Sequence, residues 1–332
     1  MNLLREIAAA RPLTIEWPTI GLIAGVYFGL GLLMWFYSVL PWWVIVPCAG
    51  YLIALHGSLQ HEVLHGHPTR NRVLNELMVS ISPSLWFPYR RYRKLHLIHH
   101  NDENLTDPRL DPESYYLLPD KWESLPTPLK QLYTLNNTLA GRMVMGPLIA
   151  WVRFWTSEAF FILRGDREVM RVWLLHIPAA AVTLVYACWI CGIPLWQYVL
   201  LFAYPGISLS FVRSFCEHQA AEDMGERTIV VEASPFWSLL FLNNNLHIAH
   251  HTNPRLAWYR IPAYYRAERD MLMTRNNGYL MRGYGEIFRR YFLRPKEPVA
   301  HPILRGDPRT MSYSGRPFEV RDTSLAPQGE GT

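Results

Sequence analysis

The chain has 332 residues, half of them hydrophobic and only 18% charged, with a formal net charge of +5. No Asp, Glu, Lys or Arg occurs from Trp17 to His61 or from Val172 to Val212, which argues against an ordinary soluble domain, whose helices must show one face to water. The basic excess lies wholly outside these two runs, so no nucleic acid partner is needed to explain it.

The small residues Ala8 to Ala10 precede the first apolar run, where a secretory cleavage site would follow it, so the first span is expected to be retained. Each uncharged run is long enough for two passes of about 20 residues. Turn residues interrupt both near the middle, Pro41 in the first and Gly192 with Pro194 in the second. Two transmembrane hairpins are therefore expected, at about 20–60 and 172–213, with Trp42 and Trp43 at a membrane interface. Neither connecting link carries Lys or Arg. By the positive-inside rule, the N-terminus, the long middle segment and the C-terminal third then face the cytoplasm.

Between the hairpins, residues 74–88 and 143–163 are apolar but interrupted, the first by Pro83 and the second by Arg153 and Glu158. Both are expected to lie along the inner leaflet as interfacial helices. Beyond Arg294 the composition turns to Pro, Gly and charge without periodicity. The expected organisation is one membrane domain over 1–298 and a loosely ordered tail over 299–332. The fold class is all-α: an integral membrane protein with four transmembrane helices and a cytoplasmic histidine-rich helical cap.

The histidines carry the chemistry. His61 and His65 stand in HEVLH, His96, His99 and His100 in HLIHH, His218 alone, and His247, His250 and His251 in HIAHH. Residues three or four apart share a helix face, so each box can aim its imidazoles at one point. Imidazole suits iron, copper, nickel and zinc, but nine donors exceed what one four-coordinate zinc can use, and two ions sharing them is the simpler count. Because both hairpins return to the side they start from, His61, His65 and His218 emerge at the surface where the other boxes lie.

HEVLH also matches the zinc peptidase motif H-E-x-x-H, with Glu62 as the general base, but that reading leaves both H-x-x-H-H boxes unexplained. A non-catalytic metal-binding or transport protein is a third reading, and it would want ionisable residues within the spans. His56, His67, His176 and His301 are expected outside the metal site, His67 because it lies two positions past His65 and so points elsewhere. Cys48, Cys188, Cys191 and Cys216 are read as small thiols without chemistry, three of them in the apolar runs. Asp102, Asp107, Asp111, Glu217, Asn243 and Asn244 are candidates to orient the imidazoles, or else to serve as loop and cap residues. Arg90, Arg91, Arg93 and Lys94, with Arg289 and Arg290, form either a solvated face or a docking patch for an acidic partner or anionic lipid.

The order and spacing of these boxes relative to the hairpins resemble the membrane fatty acid desaturase family over most of the chain. The stretch His100 to Glu113, with Asp107-Pro108 and Asp111-Pro112, is also similar to that family. Some members place an Asn one helical turn before the additional histidine, where this chain has Ser214. The resemblance implies two irons held by all nine histidines, with no separate general base and no organic cofactor, and O₂ as co-substrate. It further implies a lipid or acyl substrate entering from the bilayer, and a multi-pass protein of the bacterial inner membrane. Hydroxylation, decarboxylation or ketolation on the same scaffold is the nearest alternative. The chain has no flavin, nicotinamide, iron–sulfur or fused cytochrome signature, so a separate ferredoxin or cytochrome is expected to supply electrons.

Overall fold

A computed structural model describes residues 15–304, the side chain of Asp102 excepted. Four of its helices are long and apolar enough to cross a bilayer: α1 (Trp17–Trp35), α2 (Trp42–Leu64), α6 (Arg167–Ile190) and α7 (Leu195–Ser214). Their breaks fall at the turn residues. Pro41 stands immediately before α2, while Gly192 takes φ +70° and Pro194 precedes α7. The outer faces stay apolar, with Phe28, Leu174 and Trp189 each at least two-thirds exposed. Such a surface would be untenable in water and suits lipid. Trp42 and Trp43 beside the first turn and Trp189 and Trp196 beside the second are also exposed, as expected of rings at an interface.

The other helices that matter here are α3 (Arg72–Val79), α4 (Tyr89–His99), α5 (Gly146–Leu163), α8 (His247–Thr252) and α9 (Ile261–Arg275). Side chains start two of the helices: Asn71 accepts from the N–H groups of Val73 and Leu74 at α3, and Asp166 from those of Glu168 and Val169 at α6. The fold is not purely helical, since β1 (Val230–Val231) pairs in parallel with β2 (Leu280–Met281) beside α8.

α2 is the central element, packing against α1 on one side and along α7 on the other. At the α2–α7 contact a Cβ on Gly206 would stand 2.4 Å from Ile53 Cγ2, so only glycine allows this approach. Gly206→Ala is expected to lower stability by about 1–3 kcal/mol through overpacking, read as an earlier melting transition in detergent. α6 leans on α4 and α5 and meets α7 chiefly near their common turn, so the second pair is more open than the first.

Residues 74–88 do not form the expected interfacial helix. Only Arg72–Val79 is helical, and the chain that follows is irregular. Its carbonyls are satisfied from the spans instead. Tyr27 of α1 donates to Ile81 O at 2.9 Å, Thr183 of α6 to Ser82 O at 3.2 Å, Tyr198 of α7 to Pro83 O at 2.6 Å, and His176 Nε2–H to Leu85 O at 3.0 Å. Irregular backbone buried among apolar helices requires such partners. His176 and Tyr27, with His56 at 2.8 Å from the Tyr27 hydroxyl, are thus accounted for as internal hydrogen-bonding groups.

The chain beyond Arg294 is anchored further than its composition suggests. Lys296 Nζ donates to His218 O at 2.5 Å, and Leu117 bonds the backbone of Val299 and His301. His301, assigned to the tail by sequence, is buried and stands 3.2 Å from the Thr106 hydroxyl. The remainder of the expected tail, 305–332, lies outside the described residues.

Candidate metal centre

The eight box histidines and His218 converge, in two groups. His61, His65, His96, His100 and His250 form one, and His99, His218, His247 and His251 the other, with one ring nitrogen from each residue within 4.8 Å of the rest of its group. The end of α2 supplies His61 and His65, and the end of α4 with its cap supplies His96, His99 and His100. His218 follows α7, and α8 supplies the last three. Each H-x-x-H-H box divides between the groups. His96 and His100, four apart, face the first and His99 the second, whereas His247 and His251 face the second and His250 the first. The two boxes therefore stitch the centres together in opposite senses.

The nitrogens are arranged for cations. His96 Nδ1–H donates to Glu113 at 2.7 Å, His99 Nδ1–H to Asp111 at 2.9 Å and His247 Nδ1–H to Asn244 Oδ1 at 2.9 Å. In a neutral ring this leaves Nε2 with a lone pair and no proton. Yet His99 Nε2 lies 3.0 Å from His218 Nε2, and His247 Nε2 lies 3.1 Å from that same atom. In the other group His96 and His100 approach Nε2 to Nε2 at 3.0 Å, and His250 and His100 at 3.2 Å. A proton on one nitrogen of each pair, or an ion shared between them, makes these contacts favourable. Donors each about 2.0–2.1 Å from one ion stand roughly 3 Å apart, which these separations match. The buried Nε2 atoms of His61 and His65 make no hydrogen bond and await the same kind of partner.

Burial holds His100, His218, His247 and His250 well below the ordinary imidazole range, and the neighbouring imidazoles add to it, so these rings stay neutral and ready to bind. His99 differs. Burial disfavours its charged form, but Glu113 and Asp111 outweigh this and raise it to about 9.

Among the candidate orienting residues, Asp111 and Asn244 touch box histidines directly. Glu217 lies 3.5 Å from His247 Nδ1 while paired with Arg213 at 2.9 Å. Asp107 instead pairs with Arg109, and Asn243 donates to Trp258 O. The side chain of Asp102 is outside the described set. Sequence reasoning missed Glu113 and Arg213. For Glu113 a signal existed, since it is the last of five carboxylates in the thirteen residues directly after the second box.

Glu62 does not face the nine histidines, as a peptidase base would have to. Its Oε1 accepts the N–H of Trp258 at 2.9 Å and lies 3.8 Å from His67 Nε2. The basic cluster before the second box is largely engaged within the chain: Arg90 with Glu76, Arg91 with Glu158 and Lys94 with Glu168. Arg290 likewise pairs with Glu286.

A cavity of about 460 Å³ runs from the apolar helices to the second group. Ile53, Gly57, Ile207 and Phe211 line its membrane portion, and His99 and His218 its inner end. Ser214, at the position where some desaturases carry Asn, lies on its wall with Glu217.

These features define a multi-pass helical membrane protein with two adjoining imidazole clusters that could hold metal. The sequence profile of the fatty acid desaturase family matches residues 37–283, and the chain belongs to that family. A fatty acid desaturase of Bacillus subtilis (strain 168) is 26% identical over 234 residues, covering 65% of this chain and 64% of that protein, just under two thirds of its length.

Proposed function

We propose that this protein is an O₂-dependent di-iron desaturase of fatty acyl chains, its eight box histidines and His218 holding the two irons. The observation that carries this reading is the pair of imidazole clusters in which Nε2 atoms approach one another to 3.0 Å, the second cluster lying at the inner end of a cavity that opens among the apolar helices. When bound, two irons would supply O₂ activation and the oxidising power needed to remove hydrogens from unactivated neighbouring methylenes, for which zinc has no redox states.

The chain's own residues do the rest. Glu113, Asp111 and Asn244 fix the ring orientations and present Nε2 inward. The apolar walls around Ile53, Ile207 and Phe211 receive the acyl chain from the bilayer, hold it beside His99 and His218, and keep bulk water away. The Lys and Arg distribution supports a cytoplasmic location for the histidines in an inner membrane, with electrons arriving from a separate ferredoxin or cytochrome.

Mass spectrometry of lipids from cells expressing the protein tests the reaction, together with metal analysis of the purified chain. New double bonds with two irons per chain support it. New hydroxyl groups would point to oxygen insertion on the same scaffold, and one zinc with no lipid product would overturn the proposal.

The cavity makes a separate prediction. A Cβ on Gly57 would meet only Ser210 Oγ at 3.8 Å, and leucine favours a helix more than glycine does, so Gly57→Leu should fold while filling part of the space. Turnover of long acyl chains is expected to fall by about tenfold or more with iron content retained. Unchanged chain-length preference would show that the substrate lies elsewhere.

A further inference from the structure

A third group of potential ligands lies apart from the eight box histidines and His218. Glu16 precedes α1, Glu62 is on the last turns of α2 and His67 follows that helix. All three are buried, at 2%, 5% and 6% exposure, and one donor atom from each lies within 4.8 Å of the others. The backbone sets up this meeting: Glu16 N–H donates to Pro68 O at 3.0 Å, and Ile15 bridges Thr69.

His67 Nδ1–H donates to Glu16 Oε1 at 2.7 Å. Its Nε2 is buried, makes no hydrogen bond of good geometry although the backbone of Arg255 lies near it, and faces Glu62 Oε1 at 3.8 Å. Glu62 is itself held in place by the Trp258 N–H, and Glu16 Oε2 is 3.4 Å from the Thr19 hydroxyl. Two carboxylates thus confront one imidazole, and a single imidazolium could balance only one of them. Two donors on one ion, each about 2.0–2.2 Å from it, stand roughly 3–4 Å apart, and the Nε2–Glu62 separation falls in that range. A carboxylate on the far nitrogen of a ligating imidazole is the usual support for such a site.

We infer that Glu16, Glu62 and His67 form a third metal site, separate from the two histidine clusters, that takes a divalent transition ion of the Zn²⁺ or Mn²⁺ kind. Glu62 and His67 Nε2 bind the ion, and Glu16 orients the ring and adds the second negative charge. Oxygen and nitrogen donors together suit these ions. The ion fastens the segment before α1 to the end of α2 and, through Glu62, to the chain at Trp258. Its role is to hold the first box in register, and it does not depend on which metal the nine histidines take.

The test uses the full-length protein in detergent, incubated with Zn²⁺ or Mn²⁺ and desalted. Metal analysis is expected to find three ions per chain in the wild type and two in the Glu16→Gln, His67→Asn double variant. Equal counts in the two proteins would overturn the site and leave an imidazolium clasped by two carboxylates. Should the variant fail to fold, anomalous diffraction at the zinc edge from zinc-incubated wild-type crystals decides the matter. A peak between Glu62 and His67 supports the site, and its absence refutes it. Loss of metal from the histidine clusters alone would count against the di-iron reading without touching this one.

Discussion

Replacing His218 by alanine is expected to eliminate the lipid product and to lower bound iron to about one ion per chain, whereas His100→Ala should eliminate the product with a smaller loss of iron. The difference follows from the division of the ligands. His218 belongs to the group of four and approaches both His99 and His247, so its removal leaves that centre three donors. His100 belongs to the group of five, and four imidazoles remain without it. Disturbing a residue that merely orients a ligand typically costs 10–100-fold in metal affinity or activity, so removing a ligand should exceed about 100-fold in product. Lipid mass spectrometry and metal analysis on the same preparations check both parts. Product persisting in either variant would sink the assignment of that histidine.

The second large effect concerns stability. Glu158 of α5 is 1% exposed, accepts from Arg91 Nε at 2.7 Å and from Trp173 Nε1 at 2.9 Å, and so ties α5 to α4 and α6 along the cavity wall. Glu158→Ala would leave the Arg91 guanidinium buried without its counter-charge. Breaking a buried pair from one side costs about 3–5 kcal/mol, while replacing both partners with apolar residues is often neutral. The single variant should therefore unfold at much lower denaturant concentration than the wild type, and Glu158→Leu with Arg91→Met should recover most of the loss. A double variant as unstable as the single would mean that the geometry of the pair, and not its charge balance, holds the helices.

Much of this architecture was legible in the sequence because it is written in local spacing. Charge-free runs broken at Pro41 and Gly192 marked the spans, and separations of three and four residues gathered the histidines. What spacing could not convey was which distant groups meet. His67 does point away from the box, as its position two past His65 implies, but what it points at is Glu16, two spans earlier in the chain. Glu113 and Arg213 become part of the site only once residues 100–113 fold back against α4 and α7 ends beside His218. The apolar stretch 74–88 read as a helix because apolar residues at short range look alike in helix and loop. Its real conformation depends on hydroxyls and an imidazole contributed by α1, α6 and α7.

That borrowed hydrogen bonding has a consequence of its own. Ser84, Trp86 and Phe87 line the cavity, and the strand of chain bearing them is positioned by Tyr27, Thr183, Tyr198 and His176, none of which is a box histidine. The chamber's dimensions are set by one group of residues and the imidazole clusters by another. Evolution or design could reshape what the protein accepts by editing those four grips while leaving the chemistry it performs intact.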